Sequence, residues 1–179
     1  MFVSGKPQQT PFAGPRWWQA GLVLLVALIA QVELMHFLAW HHAEPSLVLI
    51  AVVWYAVRTD SGRAVLFGLI AGACEDFFGG AGTGAGTGGG WTIATTLTAL
   101  LVASLSQSFF ADSIPIYAAA VAAATLFRRW IFWIVLSLEG YPRGYAIVHF
   151  HQALWEALMN LLAAAVLMLA ARLIERRRA

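Results

Sequence analysis

Six apolar stretches, separated by short polar segments, follow one another along the chain. They cover residues 17–40, 45–57, 63–78, 91–110, 115–138 and 149–173. A helix that crosses a bilayer needs about 20 mostly apolar residues, and most of the stretches approach or exceed that length. The pattern therefore predicts an all-α integral membrane protein. We expect a bundle of six transmembrane helices, between an N-terminal tail at 1–16 and a basic tail at 174–179.

The second apolar stretch is too short to cross a bilayer alone. At about 1.5 Å per residue, a helix over 45–57 is only about 20 Å long. We expect this helix either to begin earlier, within 41–44, or to lie where neighbouring helices shield its ends.

Residues 79–90, between the third and fourth stretches, include eight glycines among twelve residues. Glycine weakens a helix because it loses the most backbone entropy, so this run predicts a loop. Gly84, Gly86 and Gly89 formally match the dinucleotide fingerprint GxGxxG, which requires a preceding strand in a βαβ unit. A membrane helix is predicted there instead, so neither a nucleotide nor another cofactor is expected.

Composition agrees with a membrane protein. Hydrophobic residues make up 60% of the 179 residues and charged residues 11%, against about 25% charged in soluble proteins. A soluble domain of this size would lack the polar side chains to cover its surface. The single cysteine, Cys74, excludes an internal disulfide. The pairs His41 with His42 and His149 with His151 do not share a helical face, so no metal site is predicted.

Basic residues predict the orientation. If the N-terminus is cytoplasmic, the cytoplasmic segments carry eight Lys and Arg residues, whereas the outside loops carry only Arg143. The eight are Lys6, Arg16, Arg58, Arg63, Arg172, Arg176, Arg177 and Arg178. This bias favours six crossings with both termini in the cytoplasm. The basic C-terminus is typical of a topology signal that contacts anionic lipid, and no nucleic-acid partner is expected.

Seven ionisable side chains fall inside the predicted membrane helices: Glu33, His36, Glu75, Asp76, Arg128, Arg129 and Glu156. Each costs at least about 2.5 kcal/mol near the bilayer centre, so such residues normally face protein. Counting along the helices places Asp76, Arg128 and Glu156 about 20 Å above the cytoplasmic face. Glu33 comes out about 24 Å above it. The hypothesis is a buried polar cluster of these four residues and Arg129, in which an arginine pairs with Asp76 and Glu156.

A four-residue periodicity indicates how the third predicted helix packs. Ala64, Gly68, Gly72 and Asp76 recur at this spacing, so they lie on one helical face. Small residues at such spacing let two helix backbones approach closely. Ala64, Gly68 and Gly72 are therefore predicted to form a helix-packing face, with Asp76 at its end.

The sixth predicted helix carries a single polar stripe on an otherwise apolar surface. His149, Gln152, Glu156 and Asn160 recur at spacings of three, four and four, so the stripe is expected to face inward. The cluster around Glu156 has three interpretations: a structural ion pair, a site for an external ligand or partner, or a proton relay or catalytic centre. The structural interpretation is favoured, because no nucleophile, base and orienting group are assembled in the sequence.

Two adjoining segments resemble the rod shape-determining protein MreD family. One is the proline-led apolar helix that starts PSLVLI at 45–50 and ends YAVR at 55–58; the other is GLIAGACED at 68–76. The family pattern has glycines four apart, then an aspartate, then a glycine-containing loop. This sequence departs from it in the extreme glycine content of 79–90 and in a second acid, Glu75, beside Asp76.

The resemblance implies a non-enzymatic, multi-pass component of the bacterial inner membrane, in the elongation machinery that builds peptidoglycan. Such a protein binds the single-span scaffold MreC and indirectly supports the synthase RodA with its penicillin-binding transpeptidase. The resemblance also implies a fold similar to the substrate-binding subunits of vitamin-uptake transporters, with an outward pocket. Two other function classes stay open: a small-molecule capture subunit of a transporter, and an intramembrane enzyme or proton-coupled transporter.

Overall fold

The computed structural model of the protein describes residues 14–34, 43–80, 88–109 and 113–178. Within these ranges the fold is all-helical. Six α-helices follow in order: α1 (Trp17–Leu34), α2 (Leu47–Ala56), α3 (Ser61–Gly80), α4 (Gly90–Phe109), α5 (Ile114–Leu138) and α6 (Ala146–Arg178). A 3₁₀ turn at Arg143–Tyr145 joins α5 to α6. The predicted helical class is confirmed.

Two of these helices, α5 and α6, are long and apolar enough to cross a membrane. Their 25 and 33 residues correspond to about 38 Å and about 50 Å. The remaining apolar helices are shorter, and the crossing of the bilayer by all six stays a prediction.

Several helix ends differ from the predicted bounds. Helix α3 continues through Gly79 and Gly80, whereas the sequence predicted a loop from residue 79 onward. Helix α6 begins three residues earlier than predicted and runs on through residues 174–178, which include three arginines, so the predicted tail continues the helix. Several predictions fall outside the described residues. They are the end of the first helix near residue 40, the residues His36, His41 and His42, and the loop residues 81–87.

The short helix α2 occupies the centre of the bundle. Eight of its ten residues are buried, on all sides of the helix: Val48, Leu49, Ile50, Ala51, Val52, Val53, Tyr55 and Ala56. The two hydrophobic core clusters both include α2 residues, one with side chains of α5 and the other with side chains of α1. A helix that is apolar all round is typical of such a core position.

Polar side chains of neighbouring helices satisfy the buried start of α2. The Ser46 backbone N–H donates to Asn160 Oδ1 at 2.7 Å, and the Val48 N–H donates to Gln31 Oε1 at 3.1 Å. The Ser46 hydroxyl accepts from the Leu49 N–H at 3.2 Å. These bonds matter because the first N–H groups of a helix have no intrahelical partner, and no water replaces them in an apolar interior. The start of α2 is thus shielded by neighbours.

The glycine stripe of α3 packs against α4 of the same chain. A Cβ atom at Gly68 would lie 2.6 Å from Ala99 Cβ, and one at Gly72 would lie 2.6 Å from Thr92 Cα. Real Cβ atoms do not approach so closely, so glycine is required at both positions. Ala64, one turn earlier, is buried in a core cluster that includes α4 residues. All three predicted packing residues therefore lie at internal contacts.

Candidate functional site

Four charged side chains meet in the interior of the bundle and form what we call the ion network: Glu75 of α3, Arg128 and Arg129 of α5, and Glu156 of α6. Arg128 Nη1 lies 2.8 and 2.9 Å from the two carboxylate oxygens of Glu75. Arg128 Nη2 lies 3.3 Å from Glu156 Oε1, and Arg129 Nε hydrogen-bonds to Glu156 Oε2. Glu156 thus bridges the two arginines.

The ion network is deeply buried and formally neutral. The side chains of Arg128 and Glu156 are 2% and 1% exposed, and that of Glu75 is 7% exposed. Two negative and two positive charges balance, which offsets part of the large cost of removing each ion from water. Thr95 of α4 adds a hydrogen bond from its hydroxyl to Glu75 Oε2 at 3.1 Å.

An aromatic side chain of α4 covers the two arginines. The guanidinium carbons of Arg128 and Arg129 lie 4.7 and 5.2 Å from the Trp91 ring centroid, within range of cation–π attraction. The Trp91 ring in turn stacks on Phe132 with centroids 3.9 Å apart. The ion network therefore joins four helices, α3 to α6, through charged and aromatic contacts.

Asp76 has a different role from the one predicted. Its Oδ1 accepts from the Trp91 N–H at 3.1 Å, and its Oδ2 accepts from the Thr92 N–H at 2.8 Å and the Thr92 hydroxyl at 2.6 Å. Asp76 thus caps the first turn of α4. Arg128 pairs with the carboxylate of Glu75, whereas these hydrogen bonds of Asp76 go to α4.

The geometry of α3 explains this exchange of roles. Asp76 lies on the same face of α3 as Gly68 and Gly72, and this face packs against α4. The first turn of α4 attracts a carboxylate, because it has free N–H groups and the positive end of the helix dipole. Glu75 precedes it by one residue, about 100° round the helix, and its longer side chain reaches α5. The estimated height of Asp76 in the bilayer had suggested it as the partner of an arginine. The direction of the glycine face was the signal that its side chain points at α4.

Glu33 does not join the cluster in the structure. It lies on an exposed part of α1, and the ion network comes from α3, α5 and α6. Helix α1 packs chiefly against α2 and α3. The predicted grouping of Glu33 with the other acids rested on its height in the bilayer, which says nothing about the direction of its side chain.

Comparison with known families identifies the chain. The family model of the rod shape-determining protein MreD matches residues 16–177. The chain belongs to the MreD family. The resemblance found in two short segments is thereby confirmed over nearly the whole length. No curated protein matches the chain, and no solved structure matches it.

Family membership gives the coarse function of this MreD protein. It is a rod shape-determining membrane protein, and the two long apolar helices agree with a place in a membrane. The family is one of structural, shape-determining components. In this member, the acid that lies nearest Arg128 is Glu75.

The rest of the polar stripe of this MreD protein also lies on the inward side of α6. Asn160 is fully buried and donates from Nδ2 to Thr125 Oγ1 at 3.0 Å. His149 is half-buried, with its ring 4.7 Å from that of Trp133. Within the described ranges, no group of three His, Cys, Asp or Glu side chains could hold a metal ion. The site as built holds helices together through paired charges.

Proposed function

We propose that this protein is a non-enzymatic, multi-pass component of the bacterial inner membrane that binds an MreC-like single-span scaffold. Through that scaffold it supports the synthase RodA and its penicillin-binding transpeptidase during elongation. The observation that carries the proposal is the match of the MreD family model to residues 16–177.

The ion network supports a structural role over a reaction centre. Both buried acids, Glu75 and Glu156, are engaged by arginines, and the arginine between them is 2% exposed. A general base or a proton relay needs a carboxylate that can exchange protons with substrate or water. Paired charges of this kind instead specify which helices meet.

We further propose six crossings with both termini in the cytoplasm. Helices α1, α3 and α4 have 18, 20 and 20 residues, or about 27–30 Å, which is close to the hydrocarbon thickness. The ten-residue α2 is about 15 Å long and crosses as a core helix whose first N–H groups are satisfied by α1 and α6. The basic residues counted above then lie on the cytoplasmic side.

Copurification tests the proposed role. The tagged full chain is expressed in its native membrane, extracted in mild detergent and captured, and its partners are identified by mass spectrometry. A single-span scaffold protein is expected in stoichiometric amount. As a second readout, the chain should restore rod shape to cells that lack their own copy. If the chain stays folded yet captures no such scaffold and leaves the cells round, the proposal is wrong.

A capture subunit for a vitamin-like molecule is the alternative, and the ion network counts against it. In that alternative the polar cluster would contact the ligand, but the two arginines already contact Glu75 and Glu156. Thermal stabilisation of the purified chain by a vitamin in a panel would favour the alternative over the scaffold-binding role.

A further inference from the structure

An open cavity of about 430 Å³ lies between α5 and α6, close to the turn that joins them. We call it the α5–α6 cavity. Two basic side chains, Arg129 and His149, line it together with aromatic and aliphatic ones, among them Trp130, Trp133 and Phe150. Its volume lies in the range of about 300–1,000 Å³ that holds small ligands. A mostly apolar wall with two basic groups suits an amphiphile with an anionic head.

Arg129 keeps hydrogen-bond donors that the protein does not use. Its Nε hydrogen-bonds to Glu156, and the Trp91 ring lies beside the guanidinium group. Among the described residues, that bond is the only hydrogen bond of the Arg129 side chain to a protein atom. Both Nη groups therefore remain for a ligand of the cavity that Arg129 lines, and the side chain is 19% exposed. Arginine presents such donors in a fork that matches phosphate oxygens.

The rim of the α5–α6 cavity indicates that the ligand enters from the bilayer. Trp130 and Phe150 line the cavity and are each 63% exposed. They belong to the two helices that are long and apolar enough to cross a membrane, so this surface meets acyl chains. The cavity is too small for a complete diacyl lipid, whose chains would stay outside along the aromatic rim.

Both basic side chains lie in the half of their helix that is nearer the α5–α6 turn. Arg129 lies nine residues before the end of α5, about 13 Å along the helix, and His149 lies three residues after the start of α6, about 5 Å along it. An anionic headgroup would therefore reach the cavity from the bilayer face where this turn lies.

We propose that the α5–α6 cavity binds the phosphate headgroup of an anionic phospholipid. Arg129 Nη groups and the His149 ring donate to the phosphate oxygens, and the acyl chains leave along Trp130 and Phe150. Contacts with Glu156 and Trp91 already fix the conformation of the Arg129 side chain, so binding requires little further ordering of it. This site would give the protein a lipid preference in addition to its proposed protein partner.

Native mass spectrometry of the full chain in detergent tests the proposal. Phosphatidylglycerol and phosphatidylcholine with identical acyl chains are titrated, and inorganic phosphate is tested separately by thermal shift. The site variants are Arg129→Gln, which removes the charge, and Ala146→Trp, which fills the cavity from an exposed lining position without touching the ion network. Arg63→Gln is the matched control, because Arg63 is half-exposed on α3, away from the cavity.

Phosphatidylglycerol is expected to bind about tenfold more tightly than phosphatidylcholine, because the two lipids share the phosphate and choline adds a cation that the Arg129 guanidinium repels. Both site variants should abolish that preference, and the control should keep it. Equal binding of the two lipids, or site variants that bind like the unmodified chain, would overturn the proposal. Equal stabilisation by inorganic phosphate would assign the cavity to a free anion instead. If Arg129→Gln does not fold, Ala146→Trp decides alone.

Discussion

Replacing Glu75 with glutamine tests the central contact of the ion network. Glutamine keeps the shape and one acceptor oxygen of Glu75, but it removes a negative charge that lies 2.8 Å from Arg128. The two arginines are then left with Glu156 alone, and Arg128 is 2% exposed. Removing one partner of a buried ion pair costs about 3–5 kcal/mol, because the other charge stays buried and unpaired. We expect Glu75→Gln to lower the free energy of unfolding by about that amount.

The adjacent acid supplies a matched control. Asp76→Asn removes one charge from the next position of α3, where the carboxylate accepts hydrogen bonds from Trp91 and Thr92 at the start of α4. Deleting a helix N-cap with alanine costs about 0.5–2 kcal/mol, and asparagine keeps one capping oxygen, so the loss should not exceed that range. The expected order is therefore a larger loss at position 75 than at 76, which is opposite to the order that the sequence hypothesis predicts.

Unfolding in mixed micelles, driven by increasing SDS and followed by tryptophan fluorescence, measures both free energies. A third variant, Glu75→Gln with Arg128→Met, removes the acid and its arginine together and leaves Glu156 paired with Arg129. This double variant should be more stable than Glu75→Gln alone, because no charge is orphaned. Equal losses at positions 75 and 76, a larger loss at 76, or a double variant that is no more stable than Glu75→Gln would refute the assignment of Glu75 to Arg128.

Three further substitutions test other contacts by the same unfolding assay. Gly72→Ala should destabilise by about 1–3 kcal/mol, because its Cβ would overlap the α4 backbone, while Gly21→Ala, with open space around it, should not destabilise. Asn160→Leu should cost about 1–3 kcal/mol, because it leaves a buried N–H at the start of α2 without its acceptor; an unchanged stability would mean that this bond is replaceable. Trp91→Leu should lower the free energy of unfolding by about 1–2 kcal/mol more than Trp18→Leu does. The Trp91 ring covers both arginines, whereas the Trp18 ring is exposed and lies outside the ion network.

Residue spacing predicted which faces of α3 and α6 are packed. A four-residue repeat fixes a helical face regardless of what it contacts, so Gly68 and Gly72 of α3 pointed to a close neighbour. The polar stripe of α6 likewise turns inward at Glu156 and Asn160, because polar side chains on an apolar helix are satisfied only by other protein groups.

The angular direction of isolated side chains could not be predicted in the same way. Glu33 and Glu75 belong to no periodic stripe, so residue spacing did not predict the direction of their side chains. Adjacent helix positions differ by about 100°, which is enough to send Glu75 to α5 and Asp76 to α4. Only the tertiary arrangement of α3, α4 and α5 decides which of the two acids meets the arginine.

Among the described residues, the helices of this MreD protein satisfy one another's buried polar side chains, except at the Tyr55 hydroxyl and Arg128 Nε. Asp76 caps α4, Gln31 and Asn160 satisfy the start of α2, and the ion network balances two acids against two arginines. Since the polar interior is occupied in this way, a partner protein is expected to meet the outer surfaces of the bundle. The proposed lipid site is compatible with this arrangement. Arg129 contacts Glu156 in the ion network and also lines the α5–α6 cavity, and its Nη groups make no hydrogen bond to protein among the described residues. A bound lipid would then act on the α5–α6 pair from outside, without disturbing the charges that hold it.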